Sequence, residues 1–167
     1  GPHYGDEINR VEVGFNSGWA SVQGIWKPNL DEKGKLSMNP KDLVDFDGKR
    51  TYSAPELTWI PPVAPTALKF FSSDKLGSQY KNDLFVADAN TGSVYHFDLN
   101  ENRTGLELHG LLEDEIANNF EETRNSIFAK GFGRITDLDI GPDGLMYVLS
   151  SEDDVAVLYK ISNADIE

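Results

Sequence analysis

Short apolar runs broken by turn-forming residues dominate the chain, and two of them repeat one grammar. Asp83-Leu84-Phe85-Val86-Ala87-Asp88 passes through Asn90-Thr91-Gly92 into Ser93-Val94-Tyr95-His96-Phe97-Asp98-Leu99. Roughly fifty residues later, a period typical of propeller blades, Ile135-Thr136-Asp137-Leu138-Asp139-Ile140 passes through Gly141-Pro142-Asp143-Gly144 into Leu145-Met146-Tyr147-Val148-Leu149. Each is a pair of β-branched and aromatic runs joined by a tight turn, where Gly supplies positive φ and Pro fixes its own. Strands this short cannot bury a face alone, so they must stack as radial sheets around an axis. The pattern predicts an all-β chain, a partial β-propeller built of four-stranded antiparallel blades.

The remaining segments are placed around those two hairpins. Glu7-Ile8-Asn9-Arg10-Val11-Glu12-Val13 alternates well enough for a half-buried strand, and Gly14 to Gly18 turn it. Residues 27–50 mix charges with Pro28, Gly34, Pro40 and Gly48, which marks a long connection. Leu57-Thr58-Trp59-Ile60 reads as a strand stopped by Pro61-Pro62, and a further strand over 66–71 pairs with the run from Leu84. Leu112, Ile116 and Phe120 recur at helical spacing, which predicts one short amphipathic helix inserted within 111–130. The organisation read from the sequence is the end of one blade (1–26), a long connection (27–56), a blade (57–110), a helical insertion (111–130) and an incomplete last blade (131–167). A propeller needs typically four to eight blades of about 40 to 50 residues, so the 167 residues read as a piece of a larger ring.

Charge narrows the chemistry. Twenty-eight acidic residues against 15 basic give a formal net charge of −13, which repels phosphate backbones and argues against nucleic-acid binding. The same carboxylates offer oxygen ligands to a hard cation such as calcium, although most are solvated surface. The absence of cysteine removes disulfides and thiolate sites, and no apolar run is long enough for a membrane span. His3, His96 and His109 lack the short spacing of a transition-metal site, and His96 reads as cross-strand packing between Tyr95 and Phe97. Asp88-Ala89-Asn90-Thr91-Gly92 opens like a calcium loop, but its Gly falls one position early and no closing Glu follows, so a hairpin turn is the better reading. Asn102-Arg103-Thr104 forms a glycosylation triplet, meaningful only in an exported chain.

Three motifs carry a family resemblance. Gly1-Pro2-His3-Tyr4-Gly5-Asp6-Glu7-Ile8-Asn9 with Asn16-Ser17-Gly18-Trp19 resembles a Gly-Pro-x-x-x-Asp-Glu-Ile-Asn run and an Asn-x-Gly-Trp turn of the soluble quinoprotein glucose and sorbosone dehydrogenases. Trp59-Ile60-Pro61-Pro62-Val63-Ala64-Pro65 is similar to that family's Trp-x-Pro-x-Val-Ala-Pro. Arg134-Ile135-Thr136-Asp137, with Pro142-Asp143-Gly144 and Tyr147-Val148-Leu149, is similar to its Arg-x-Arg-Asp and Pro-Asp-Gly-x-x-Tyr-Val-Leu. The motifs follow the order of the family's C-terminal half and span nearly the whole chain.

The resemblance implies about half of a six-bladed ring that uses pyrroloquinoline quinone and calcium to oxidise sugars. It places the calcium ligands at Gly1 and Pro2, with Asp6 and Glu7 beside them as further ligands or, equally, as turn and strand-edge charge, and a cofactor-contacting arginine at Arg134. A second cofactor arginine falls on Thr136 and a cofactor lysine on Asn90, so two cations facing a polyanion are lost. The family's catalytic histidine belongs to the N-terminal half, so no histidine here inherits that role and the chain alone is expected to be inactive. Implied partners are the missing half or a second copy of the chain, a sugar for the parent, and an extracellular or periplasmic location. The other reading is a propeller that binds calcium, glycan or protein without chemistry.

Overall fold

The structure, a computed structural model, describes residues 4–19, 22–25, 52–153 and 155–163. Gly1, Pro2 and most of the 27–56 connection lie outside the described residues. The chain divides into two compact units, Gly1–Pro62 with His109–Phe120, and Val63–Leu108 with Glu121–Glu167. Among the described residues there are ten strands and no α-helix.

In the first unit, β1 (Asp6–Ile8), β2 (Leu57–Trp59) and β6 (Ile116–Ala117) form one three-stranded sheet in the order β1-β2-β6. β1 pairs antiparallel with β2, matching Glu7 to Thr58, whereas β6 runs parallel to β2. Leu57, Thr58 and Trp59 are all buried, and the strand stops where Pro61 and Pro62 can donate nothing to a ladder. The strand expected from Glu7 to Val13 is much shorter. Its pairing ends at Ile8, opposite the start of β2, and Val11 and Val13 are exposed.

The second unit holds two sheets. One is four-stranded, with β3 (Pro65–Phe70), β4 (Leu84–Asp88), β5 (Ser93–Phe97) and β7 (Ile127–Lys130) in the order β3-β4-β5-β7, all antiparallel. The other is a three-stranded meander of β8 (Arg134–Ile140), β9 (Met146–Glu152) and β10 (Val155–Ile161). Phe85, Ala87 and Val94 from the first, with Phe71 just after β3, pack with Ile135, Leu138, Met146 and Val148 from the second. Each large apolar side chain buried there stabilises by about 1.5–3 kcal/mol relative to exposure. Phe85 also meets Phe71 and Phe128 edge-on at 5.7 and 5.1 Å, a favoured aromatic geometry.

A bulge explains an oddity in β8. Ile135 and Leu138 are both fully buried, although strict alternation would send them to opposite faces. The register slips between Ile135 and Asp137, leaving Thr136 as the extra residue and restoring Leu138 to the core face. Thr66 makes the equivalent slip in β3.

The helix expected within 111–130 does not form. Gly110–Leu112 and Arg124–Ser126 are single 3-10 turns, and the rest supplies β6 and β7. Leu112 and Ile116 are buried, but Phe120 is half exposed, so no continuous helical stripe exists. Glu115 sits at φ 63°, which a right-handed helix excludes, and its carbonyl accepts the Thr58 amide at 2.9 Å. Ladder bonding to β2 gives this backbone better partners than a short isolated helix would.

Candidate functional site

The β4–β5 turn is organised by a buried carboxylate. Asp88, fully buried, accepts the Thr91 amide and the Thr91 hydroxyl, each at 2.6 Å, and the Ser93 amide at 3.3 Å. These bonds hold the loop in a tight turn, as read from the sequence, and hold Asn90 out at its exposed tip. Tyr95 points its hydroxyl into the same cluster, 3.3 Å from Thr91 Oγ1. Burial first, then the charge of Asp88, pushes the Tyr95 phenol up to about 12.

Two neighbouring segments clamp this turn. The Ala89 and Asn90 amides donate to the carbonyls of Ala64 and Val63, inside the Trp-Ile-Pro-Pro-Val-Ala-Pro motif. The Gly92 carbonyl accepts the Gly131 and Phe132 amides at 3.0 and 3.3 Å, on the approach to Arg134. Gly92 adopts φ 64°, and a Cβ there would lie 2.4 Å from the Gly133 carbonyl oxygen, so only glycine permits this approach. Arg134 opens β8, is exposed, and its guanidinium makes no hydrogen bond or ion pair with another described residue. Thr136, the bulge residue, is exposed and donates its hydroxyl to the Leu149 carbonyl at 3.2 Å. The fold thus joins the Asn90 turn to the segment leading into Arg134 and Thr136.

The N-terminal residues lie in the other unit. Asp6 is buried in β1, and the Glu7 carboxylate accepts the Gly24 amide at 2.5 Å and the Asn9 side-chain amide at 2.9 Å. Gly5 packs so closely on residues 23 and 24 that a Cβ would lie 2.6 Å from the Gly24 nitrogen. Two buried oxygens close in sequence or register to Glu7, Asn9 Oδ1 and Thr58 Oγ1, have no hydrogen-bond partner among the described residues. Glu7 and Thr58 lie opposite each other on one face of the β1–β2 pair, and oxygen atoms are what a hard cation takes. A separate polar groove of about 380 Å³ in this unit, bordered by Arg10, Glu12, Tyr52 and Glu56, contains none of the residues expected from the sequence.

Two features were missed in the sequence. The Asp88-Thr91-Ser93 cluster was legible as a turn but not as a buried network. His96 does pack against aromatic rings, Tyr80 and Phe85, with centroids at 5.0 Å in both cases. Its Nε2 also faces two carboxylates, Asp83 Oδ2 at 3.0 Å and Asp98 Oδ1 at 3.6 Å. Strand alternation would have put Asp83, His96 and Asp98 on one face once the Phe85–His96 pairing was known.

Comparison with known proteins follows the same motifs. A family model described as Glucose / Sorbosone dehydrogenase matches residues 1–159. An uncharacterized protein of Synechocystis sp. is 25% identical over 158 residues, which is 95% of this chain and 32% of that protein. Among solved structures, the soluble aldose sugar dehydrogenase of Escherichia coli in its apo-form matches with TM-score 0.58 and 26% identity, over 96% of this chain and 38% of that one. A putative oxidoreductase (glucose dehydrogenase) of Thermus thermophilus matches with TM-score 0.56 and 20% identity, over 94% and 36%. The chain therefore spans about a third of the length of its curated relative. Its three sheets, with no α-helix among the described residues, agree with these structures, and the fold is a partial β-propeller.

Proposed function

The chain belongs to the glucose/sorbosone dehydrogenase family, and on that premise we propose that it lines the cofactor pocket of a quinoprotein that oxidises sugars. The observation that carries this is the exposed Arg134 guanidinium, unengaged by other described residues and rooted beside a clamped turn. A planar guanidinium fits a carboxylate of pyrroloquinoline quinone in bidentate fashion. Asn90 and Thr136 would add neutral polar contacts where the resemblance expects cations. Calcium is proposed at Gly1 and Pro2 with the Glu7 carboxylate, near Asn9 and Thr58 oxygens that have no partner among the described residues; Asp6 lies on the opposite face of β1 from Glu7. A bound quinone would supply a hydride acceptor for the sugar, and a bound calcium would supply Lewis-acid polarisation. This chain's own part is to bind and orient. No residue in it is assigned as the base, so the chain alone is expected not to oxidise sugars. Extracellular or periplasmic residence goes with this proposal.

The neutral residues at 90 and 136 favour a second reading, a propeller that binds calcium, glycan or a protein partner without redox chemistry. Titrating pyrroloquinoline quinone into the chain with calcium present, followed by protein fluorescence, separates the two. The first reading expects saturable binding that Arg134→Gln weakens about tenfold or more, the loss of a charge-assisted pair at about 1.5–3 kcal/mol. Binding that is absent, or indifferent to Arg134→Gln, leaves the non-redox reading.

A further inference from the structure

We propose that Asp83, His96 and Asp98 form a binding site for one divalent transition-metal ion of the zinc class. The site lies at the open end of the β4–β5 hairpin, whereas Asn90 and the clamped turn occupy its closed end. The strands between are five residues each, so the two ends are about 15 Å apart. This is a location separate from the proposed cofactor contacts.

The geometry is that of a ligand set. One ligand atom from each residue lies within 4.8 Å of the others, and His96 Nε2 stands 3.0 Å from Asp83 Oδ2 and 3.6 Å from Asp98 Oδ1. Nitrogen and oxygen atoms bound at about 2.0–2.1 Å to a tetrahedral zinc ion are about 3.3 Å apart, between those two separations. A neutral imidazole nitrogen carries one proton or one lone pair, so it serves only one of two converging carboxylates. A dication serves all three and neutralises the two carboxylates in a chain of net charge −13. Imidazole among the donors favours zinc-class ions over calcium or magnesium, which prefer oxygen alone.

The ligands are also held in place. The His96 ring sits edge-on to Tyr80 and tilted over Phe85. The Asp83 carbonyl accepts the Phe71 amide at 2.9 Å, and the Asp98 carbonyl accepts the Glu107 amide at 2.9 Å. Asp98 is half exposed, which leaves an entry path and room for a water as fourth ligand.

The test is titration of the chain with zinc in competition with a chromophoric chelator, and with cobalt followed by its visible spectrum. One equivalent should bind, with a cobalt spectrum of low-coordinate type. Asp98→Asn and His96→Gln should each weaken zinc by about tenfold or more, while His109→Gln leaves it unchanged. Asp98→Asn alters a half-exposed side chain, so circular dichroism should confirm that its fold is intact. Zinc affinity unchanged in both Asp98→Asn and His96→Gln would overturn the proposal, as would calcium or magnesium binding these residues as tightly as zinc. Unchanged affinity would leave the cluster as polar contacts of His96 with its two neighbours, and equal calcium or magnesium binding would make it a hard-cation site.

Discussion

Gly92→Ala and Gly131→Ala together measure what the close approach of the β4–β5 turn contributes. Both glycines have positive φ, 64° and 94°. A Cβ on Gly131 would meet nothing within 4 Å, whereas one on Gly92 would meet the Gly133 carbonyl oxygen at 2.4 Å and its nitrogen at 3.0 Å. Gly131→Ala therefore carries only left-handed backbone strain, about 1–2 kcal/mol. Gly92→Ala carries that strain and must also push the two backbones apart by about an ångström to reach ordinary contact. The displacement breaks the bonds from the Gly131 and Phe132 amides to the Gly92 carbonyl, at about 0.5–1.5 kcal/mol each. The expected total is about 2–5 kcal/mol for Gly92→Ala. Urea unfolding followed by circular dichroism gives both values under one protocol. The reasoning fails if Gly92→Ala is no less stable than Gly131→Ala, because the contact with Gly133 would then carry no energy.

Four other outcomes are expected. Partial burial, then Glu56 and Asp114, raise the Glu115 carboxyl above its usual range, so the folded chain holds that proton more tightly than the unfolded one. Ionised Glu115 costs stability above the folded value and the cost fades as pH falls, so Glu115→Gln should raise the melting temperature slightly at neutral pH. Asp143 is lowered by the Leu145 amide and then by the Tyr147 hydroxyl, so its contribution is present at neutral pH and is lost as pH falls through its depressed value. Asp143→Asn should be less stable than the wild type at neutral pH and level with it in strong acid, read from melting temperature against pH. Calcium should raise the melting temperature of the wild type and raise it less in Glu7→Gln, by linkage; equal shifts would remove Glu7 from the site. The exposed Leu149 and Leu158, paired across β9 and β10, should drive association with a second copy, and light scattering that shows only monomer across a dilution series would refute this.

The hairpins were legible because their signals are local. Turn residues between alternating runs specify β4–β5 and β8–β9 without reference to the rest of the chain. Prolines at 61 and 62 likewise marked the end of β2. What the sequence hid depends on remote partners. Residues 111–130 have helical spacing, but β2 and β5 offer their backbone ladder positions, and tertiary pairing overrides propensity. The bulge at Thr136 reads as ordinary alternation until Ser150 and Leu149 are placed opposite. Arg134, Thr136 and Asn90 could be named from the motifs, yet the Gly92–Gly133 contact that joins their segments has no one-dimensional trace. The carboxylates around His96 escaped for the same reason, because they converge only when β4 and β5 are in register.

The parallel pairing of β2 with β6 governs the order in which the molecule can assemble. Thr58 meets Ile116 only after every residue of Val63–Leu108 has been made, since that stretch lies between the two strands. The β3–β4 and β4–β5 pairings, by contrast, join neighbours along the chain and close short loops. Early hairpin formation shortens the effective loop that β2 and β6 must close, and long-range pairing is the slow step in β topologies. The sheet that begins first on the ribosome is therefore completed after hairpins that begin later, and Leu57–Trp59 waits with one ladder edge open until Ile116 arrives.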